Sequence, residues 1–163
     1  MIGRFSPAGS IFNINMSTGQ VTTPNDLAQT TKVYGSSTDI IIVFSEDYIS
    51  GKGKSSRPTD LSVATTMAHE VIHAYIISLL EENKSCGASG ICDFPTIYDA
   101  YVQQQITKNP STLPDVHHEL IAKNYVKVIA ATVQEFHTGI QVPLEFAAQV
   151  YNDLAWTGVF PTT

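Results

Sequence analysis

Residues 65–75 read Thr-Thr-Met-Ala-His-Glu-Val-Ile-His-Ala-Tyr and contain the pattern His-Glu-x-x-His. An α-helix completes a turn in about 3.6 residues, so His69 and His73 lie one turn apart on the same face. Two imidazoles in this arrangement can each direct one nitrogen to a single ion. Glu70 lies about 100° around the helix from His69, where it can reach a water molecule at that ion. On a helix, this pattern is typical of zinc metallopeptidases, in which the glutamate is the general base.

The residues around the motif favour a buried helix. From about Leu61 to Leu80 the segment has no Pro or Gly, and Glu70 is its only acidic residue. Asp60 is the predicted N-cap. Burying a carboxylate and two imidazoles without partners is costly, and coordination of a metal gives such burial a reason. The alternative is a chance pattern in which two core histidines pack with ordinary hydrogen-bond partners.

Composition excludes several classes of function. The chain has 163 residues, one domain's worth, and a formal net charge of −6. Nucleic-acid binding selects for clusters of Lys and Arg, and the one basic stretch, residues 52–57, is rich in Gly and Ser and is predicted to be a solvated loop. No apolar run reaches the roughly 18 residues that span a bilayer. We therefore expect neither a nucleic-acid nor a membrane partner.

The two cysteines, Cys86 and Cys92, bracket a short Gly- and Ser-rich loop. Their spacing permits a local disulfide, which would favour an oxidising compartment, secreted or periplasmic. Two free thiols are the alternative. A second zinc site would need closer cysteines and further ligands nearby.

The N-terminal residues 1–38 are polar, and the sequence predicts that they form an extension or arm. A strand is predicted over Ile11–Met16, followed by a turn at Ser17–Gly19, and Pro24–Gln29 is predicted to begin a short helix. Residues 39–163 then form the main domain.

The main domain begins with the best strand of the chain, Asp39–Phe44, whose β-branched and aromatic residues predict burial on both faces. A polar loop, Ser45–Thr59, leads into the motif helix. A strand before such a helix is the usual lead-in to this kind of site, and a sheet edge can hold an extended peptide. Three further helices are predicted: Pro95–Gln105, Asp115 to about Phe136, and Val142–Val150. Gly139 is predicted to end the second of these helices.

A catalytic zinc takes three protein ligands and keeps one open position. The candidates for the third ligand are His117, His118, Glu119, Glu135, His137 and Glu145. His118 falls on the stripe of Ile121, Ala122, Tyr125, Val128, Ile129 and Thr132, so it is predicted to point toward the core. His117 and then Glu119 are the next choices. No third histidine follows closely after His73, so a ligand from a separate downstream helix is expected.

The segment His-His-Glu-Leu-Ile-Ala-Lys-Asn-Tyr-Val at 117–126, following the motif helix, resembles small SprT-like metallopeptidase domains with a gluzincin-type ligand arrangement. The segment Leu-Ala-Trp-Thr-Gly at 154–158 is similar to the end of that group, and the resemblance covers roughly residues 39–160. It implies an α+β, zincin-like fold with a small N-terminal β-sheet, the HExxH active-site helix and a C-terminal helical part that supplies the third ligand. The DNA–protein repair role of some relatives is not expected here, because the charge balance is acidic.

The predicted function is hydrolysis of peptide bonds in a protein or peptide substrate. His69, His73 and His118 would hold Zn²⁺, and Glu70 would act as general base. Tyr125 is the predicted donor to the developing oxyanion and Tyr151 is an alternative, although a buried tyrosine more often packs with a satisfied hydroxyl. Two other hypotheses remain: a zincin-fold protein with little or no activity that binds a protein partner, and a non-enzymatic domain whose histidines only pack.

Overall fold

The computed structural model describes residues 12–22, 26–52, 56–82 and 114–159, with side chains except at 79–82, 114–124 and 157–159. The described part is an α+β structure in which helices pack against a small sheet. Its elements are the strands β1 (Asn13–Gly19), β2 (Ala28–Lys32) and β3 (Asp39–Ser45), the helices α1 (Glu46–Ser50), α2 (Asp60–Glu82) and α3 (Pro114–Thr138), a 3₁₀ turn (Leu144–Phe146) and the helix α4 (Gln149–Val159).

The central strand of the sheet is β3, which pairs in parallel with β1 and antiparallel with β2. Because side chains alternate along a strand, Ile40 and Ile42 share one face, and both are fully buried. Ile41 and Val43 on the other face are only half-buried. The strand prediction is confirmed, but burial on both faces is wrong, since the cluster of buried residues lies on one side of β3.

Residues 1–38, which the sequence assigns to an extension, contain β1 and β2, so a boundary after residue 38 separates two strands from the strand with which they pair. Ser17–Gly19 continue β1 instead of forming a turn. Ala28 and Gln29 belong to β2, so the helix predicted there is wrong at these residues. The β-branched Thr30 and Thr31 suit a strand, and pairing with β3 overrides the local helix-start signal.

Side-chain caps mark the starts of α1 and α2. Thr59 accepts a hydrogen bond from the backbone N–H of Ser62 through Oγ1 at 3.1 Å, so Thr59 caps the helix and Asp60 is its first residue. The sequence predicts a loop over Ser45–Thr59, but residues 46–50 form α1, and Ser45 accepts a hydrogen bond from the backbone N–H of Tyr48. Gly51 ends α1 with φ of 71°, and a Cβ there would meet the Arg57 backbone at 2.9 Å.

The hydrophobic core lies between β3 and the helices α2, α3 and α4. In the described part of α3, the core residues Val126, Ile129, Ala130 and Val133 follow helical spacing, and Ala131 is buried as well. Thr132 of the predicted stripe is exposed, and Tyr125 and Val128 are half-buried, so the buried face over residues 125–133 is rotated by about one residue step from that stripe. Gly139 ends α3 as predicted, with φ of 70° and its N–H donating to the Glu135 carbonyl at 2.8 Å.

The remaining structural predictions concern the segments before and after α3. The segment predicted as a helix over Val142–Val150 contains the 3₁₀ turn and only the first residues of α4. The predicted helix at Pro95–Gln105 and the cysteines Cys86 and Cys92 lie outside the described residues. None of the helices in the described segments combines the length and the apolar character that a membrane span requires.

Candidate metal centre

The motif residues occupy one side of α2, more than two turns after the helix begins at Asp60. Within the helix, Thr65 and Thr66 donate from Oγ1 to the carbonyls of Leu61 and Ser62 at 2.8 and 3.1 Å, which satisfies these buried hydroxyls locally. Glu70 and His73 follow them on the buried side, 6% and 8% exposed. The helix therefore carries three ionisable motif residues into a region that is largely shielded from water.

The two motif imidazoles converge. His69 Nε2 and His73 Nε2 lie 2.6 Å apart, and the ring centroids are 4.4 Å apart at an interplanar angle of 65°. Two nitrogen lone pairs at this separation repel each other unless one nitrogen carries a hydrogen or both face a shared cation. The spacing of one turn thus produces the arrangement that the sequence predicts, with both rings directing the same nitrogen to one point.

Glu70 completes a compact cluster with these rings. The potential ligand atoms of His69, Glu70 and His73 all lie within 4.8 Å of one another. Among the described residues this is the one group of histidine, cysteine and acidic side chains with such a spacing. Imidazole nitrogens with a carboxylate oxygen form a donor set that suits divalent transition metals. The residues present can therefore hold a metal ion.

The Glu70 carboxylate is held by a strand. Thr30 of β2 donates from Oγ1 to Glu70 Oε2 at 2.5 Å, and the same Oγ1 lies 3.2 Å from the Glu70 backbone carbonyl. The strand β2 packs against α2, which brings this hydroxyl to the motif. The sequence gives no direct signal for Thr30, because its segment was predicted to belong to an extension. Only the strand pairing of β2 with β3 places it there.

Burial changes the protonation of all three residues. Burial lowers the pKa of His69 from its usual 6.5 to about 4. Burial, together with the neighbouring His69, puts the pKa of His73 well below 6.5. Burial raises the pKa of Glu70 from 4.5 to about 7, the hydrogen bond from Thr30 opposes this rise, and the negative charge of Asp26 adds to it. Near neutral pH both imidazoles are thus neutral, the form that binds metals.

The predicted third ligand lies in α3, which packs against α2. His118 and the alternatives His117 and Glu119 belong to the N-terminal half of this helix, and their side chains are outside the described residues. The choice of His118 therefore stays a prediction.

The remaining candidates for the third ligand are placed elsewhere. Glu145 forms a salt bridge with Lys127, in which Oε2 and Nζ are 2.6 Å apart. The Nδ1 of His137 lies 2.8 Å from the Tyr151 hydroxyl oxygen. Glu135 is exposed. These carboxylates and this imidazole are not in the cluster around His69 and His73, which was identified among the described residues.

The two predicted oxyanion donors also have defined surroundings. Tyr125 is half-buried and packs against the hydrophobic core. Tyr151 is buried, and its hydroxyl contacts His137 at the junction of α3 and α4. This contact engages the Tyr151 hydroxyl away from the motif, so Tyr125 remains the predicted donor.

In the described part of the chain, two grooves lined by residues of α2 differ in size, and the larger of these two is not at the motif. It measures about 570 Å³ and lies on the side of α2 roughly opposite to the two imidazoles, between β1 and α3, where its lining includes Val63, Met67 and Val71. A smaller groove of about 160 Å³ lies one turn N-terminal of the motif on its own side, next to Ser62 and Thr66. The side of α2 with the titratable cluster is the candidate metal centre, because the volume of a groove alone supplies no group that binds a metal.

Comparison of the chain with protein-family models, with curated proteins and with solved structures finds no match.

Proposed function

We propose that this protein is a zinc-dependent metallopeptidase with a zincin-like fold, related to SprT-like domains. The observation that carries the proposal is the convergence of two imidazole nitrogens and a carboxylate within 4.8 Å on a buried side of α2. Two histidines one turn apart, with a glutamate directly after the first, are the residues that this chemistry needs at this spacing. Their burial favours neutral imidazoles, which supports metal binding.

In this proposal His69 and His73 bind the metal through Nε2, and the third ligand comes from α3. The packing of α3 against α2 is compatible with a ligand from that helix. His118 is the first choice, followed by His117 and Glu119. Zinc is preferred over other divalent ions because two imidazoles and one further ligand, with an open position, are the usual protein ligands of a catalytic zinc.

Zinc, when bound, would lower the pKa of a coordinated water from about 15.7 to about 7 and polarise the substrate carbonyl. Glu70 accepts the proton from the attacking water and passes it to the leaving amine. Burial raises the pKa of the Glu70 carboxyl above its usual value in the metal-free protein, so this group takes up a proton more readily than an exposed carboxylate does. Tyr125 is proposed to donate a hydrogen bond to the oxyanion.

The position of β2 supports a protein or peptide substrate. In the described sheet β2 is an edge strand, and it contacts the helix that carries the motif. An extended peptide can pair with such an edge through main-chain hydrogen bonds. A nucleic-acid substrate is disfavoured, because the chain carries a net charge of −6.

A second candidate is a zincin-fold protein that binds a protein partner with little or no catalysis. The observation that favours it is the apolar groove of about 570 Å³, at whose border Met67 and Phe136 are 39% and 59% exposed. Exposed apolar surface of this kind is often an interaction site.

The test combines metal content with cleavage. Protein purified without chelator is expected to contain about one zinc per chain by elemental analysis and to degrade fluorescein-labelled casein, and 1,10-phenanthroline should stop the degradation. Glu70→Gln should keep the zinc and lower the cleavage rate by about 10²- to 10⁴-fold, the usual contribution of a general base. Glu135→Gln, which changes an exposed glutamate of α3, is the matched control and should cleave like the wild type.

Each outcome separates the hypotheses. If the purified protein contains no zinc and does not cleave casein, the hypothesis of a non-enzymatic domain whose histidines only pack is favoured. Zinc without cleavage in the wild type would favour the partner-binding candidate. Full cleavage by Glu70→Gln would show that another residue is the general base.

A further inference from the structure

We infer that Thr30 is a positioning residue for Glu70, holding one carboxylate oxygen so that the other faces the reaction. The inference rests on the proposed function of Glu70 as general base, and it assigns a role to a strand residue outside the HExxH motif. Thr30 acts through Glu70 and is not proposed to touch the substrate or the metal.

The hydroxyl of Thr30 makes two contacts with the same residue. It donates to Glu70 Oε2 at 2.5 Å and lies 3.2 Å from the carbonyl oxygen of Glu70. A hydroxyl has one hydrogen, so the carboxylate at the shorter distance takes the main hydrogen bond. Among the hydrogen bonds of the described residues, Thr30 is the one partner of this carboxylate. Oε2 is therefore held in place, and Oε1 is the oxygen left to accept a proton.

The hydroxyl is itself held rigidly. Thr30 pairs with Ile42 of β3, and Ile42 is fully buried in the core. Threonine is β-branched, so its side chain has few rotamers on a strand. A catalytic group supported from a rigid strand keeps its orientation more closely than one supported from a loop. The position of the carboxylate is thus coupled to the sheet as well as to its own helix.

This arrangement predicts an effect on turnover with little effect on binding. Misplacing a catalytic group by about 1 Å can cost on the order of a hundredfold in rate. Loss of the Thr30 hydroxyl frees the carboxylate to rotate but removes no group that binds substrate or metal. We therefore expect kcat to fall while KM and zinc content stay nearly constant.

Three variants test this with casein and with a fluorogenic peptide derived from a casein cleavage site. Thr30→Val keeps the shape and removes the hydroxyl, and it should lower kcat by about tenfold to a hundredfold, with KM changed by less than about twofold. Thr30→Ser restores the hydroxyl and should regain at least about half of the wild-type kcat. Thr18→Val makes the same change at an exposed position of β1, which is not part of the proposed site, and it should leave kcat unchanged.

A second readout needs no activity. In chelator-treated protein, Thr30→Val should lower the Tm by about 2 to 6 °C when Glu70 is present. In a Glu70→Ala background the same substitution should lower the Tm by less than about 1 °C, because the partner is gone. Glu70→Leu serves as the background if the alanine variant does not fold. A threonine that stabilises the fold independently of Glu70 would lower the Tm equally in both backgrounds. The Tm comparison therefore tests the contact between Thr30 and Glu70, and the fall of kcat at constant KM tests the positioning role.

The outcomes distinguish this inference from the proposed function. If the wild type cleaves, Glu70→Gln does not, and Thr30→Val keeps the wild-type kcat, then the role of Thr30 is wrong and the proposed function stands. If Thr30→Ser is as slow as Thr30→Val, the hydroxyl is not what matters and the inference is again wrong. If the wild type does not cleave, the proposed function and the role of Thr30 are both wrong. If Glu70→Gln cleaves like the wild type, Glu70 is not the general base, and the role of Thr30 is wrong with it.

Discussion

The two sides of α2 differ in which groups they bury and which they expose: the motif side buries ionisable side chains, and the groove side exposes apolar ones. On the motif side, Glu70 and His73 are 6% and 8% exposed although both can carry a charge. On the groove side, Met67 is 39% exposed although it is apolar, and it borders an open groove with Val63 and Val71. A helix of a globular protein usually shows the reverse, with apolar groups inside and charged groups in water.

The difference teaches that hydrophobic pattern and chemistry must be considered separately on this helix. Burial of ionisable groups costs free energy, which is expressed here as lowered pKa values of the two imidazoles and a raised pKa of Glu70. Such a cost is tolerated when the groups serve one another or a bound ion. On the groove side the cost is that of leaving apolar side chains partly in water, and the titratable cluster found among the described residues is not on this side. If the proposed function is right, substitutions on the two sides should have effects of very different size.

The largest difference is expected for metal binding. Replacing His73 by alanine removes one of the proposed ligands, so zinc affinity should fall by at least about a hundredfold, more than the usual cost of losing a residue that only orients a ligand. His137→Ala is the matched control, since this exposed histidine contacts Tyr151 and lies outside the cluster. Competition titration with a chromophoric chelator measures both affinities. Equal affinities for the two variants would contradict the assignment of His73.

Much of the motif side could be predicted from the sequence, because it depends on local spacing. The helix, its approximate start and the convergence of His69 and His73 follow from a periodicity of about 3.6 residues and from the absence of Pro and Gly. The strand β3 is also local, since five apolar β-formers in a row strongly favour a strand. The end of α3 at Gly139 depends on one residue whose positive φ suits glycine.

The parts that were missed depend on contacts between distant segments. Thr30 reaches Glu70 across forty residues of sequence, and nothing in the local composition of β2 indicates this pairing. The buried face of α3 is displaced from the predicted stripe because the packing of α3 on α2 and α4, not periodicity alone, selects Val126, Ala130 and Val133. The choice of His118 depends on the same predicted stripe, and it stays a prediction because the side chains at 114–124 are outside the described residues.

An intermediate difference is expected in the pH dependence of stability of the metal-free protein. Each buried imidazole has a lowered pKa, so the unfolded chain binds more protons and stability rises as the pH increases from about 4 to 6.5. Glu70 acts in the opposite direction: its pKa is about 7 in the folded state and 4.5 ordinarily, so its contribution is present below pH 4.5 and is lost as the pH rises to 7. Glu70→Gln removes this opposing contribution.

The Glu70→Gln variant should therefore gain stability with pH more steeply than the wild type, by about 1.4 kcal/mol per pH unit between pH 4.5 and 7. Urea unfolding with EDTA present, at half-unit steps of pH, measures the slope. Comparing two proteins cancels the contributions of the other acidic groups. Glu135→Gln, at an exposed site, should leave the slope unchanged, and parallel curves for Glu70→Gln and the wild type would show that Glu70 is not buried with a raised pKa.

The smallest effect is expected on the groove side. Met67→Lys places a charge two residues before His69 in the sequence but roughly on the opposite side of the helix from both imidazoles. Because Met67 is 39% exposed, the lysine amine can reach water while its methylene groups cover the groove. The free energy of unfolding should change by less than about 1 kcal/mol, and zinc content and casein cleavage should stay within about twofold of the wild type. Urea unfolding and the casein assay measure these values. A loss of zinc as large as that of His73→Ala would show that the two sides of α2 are energetically coupled, and the groove would then belong to the same site as the motif.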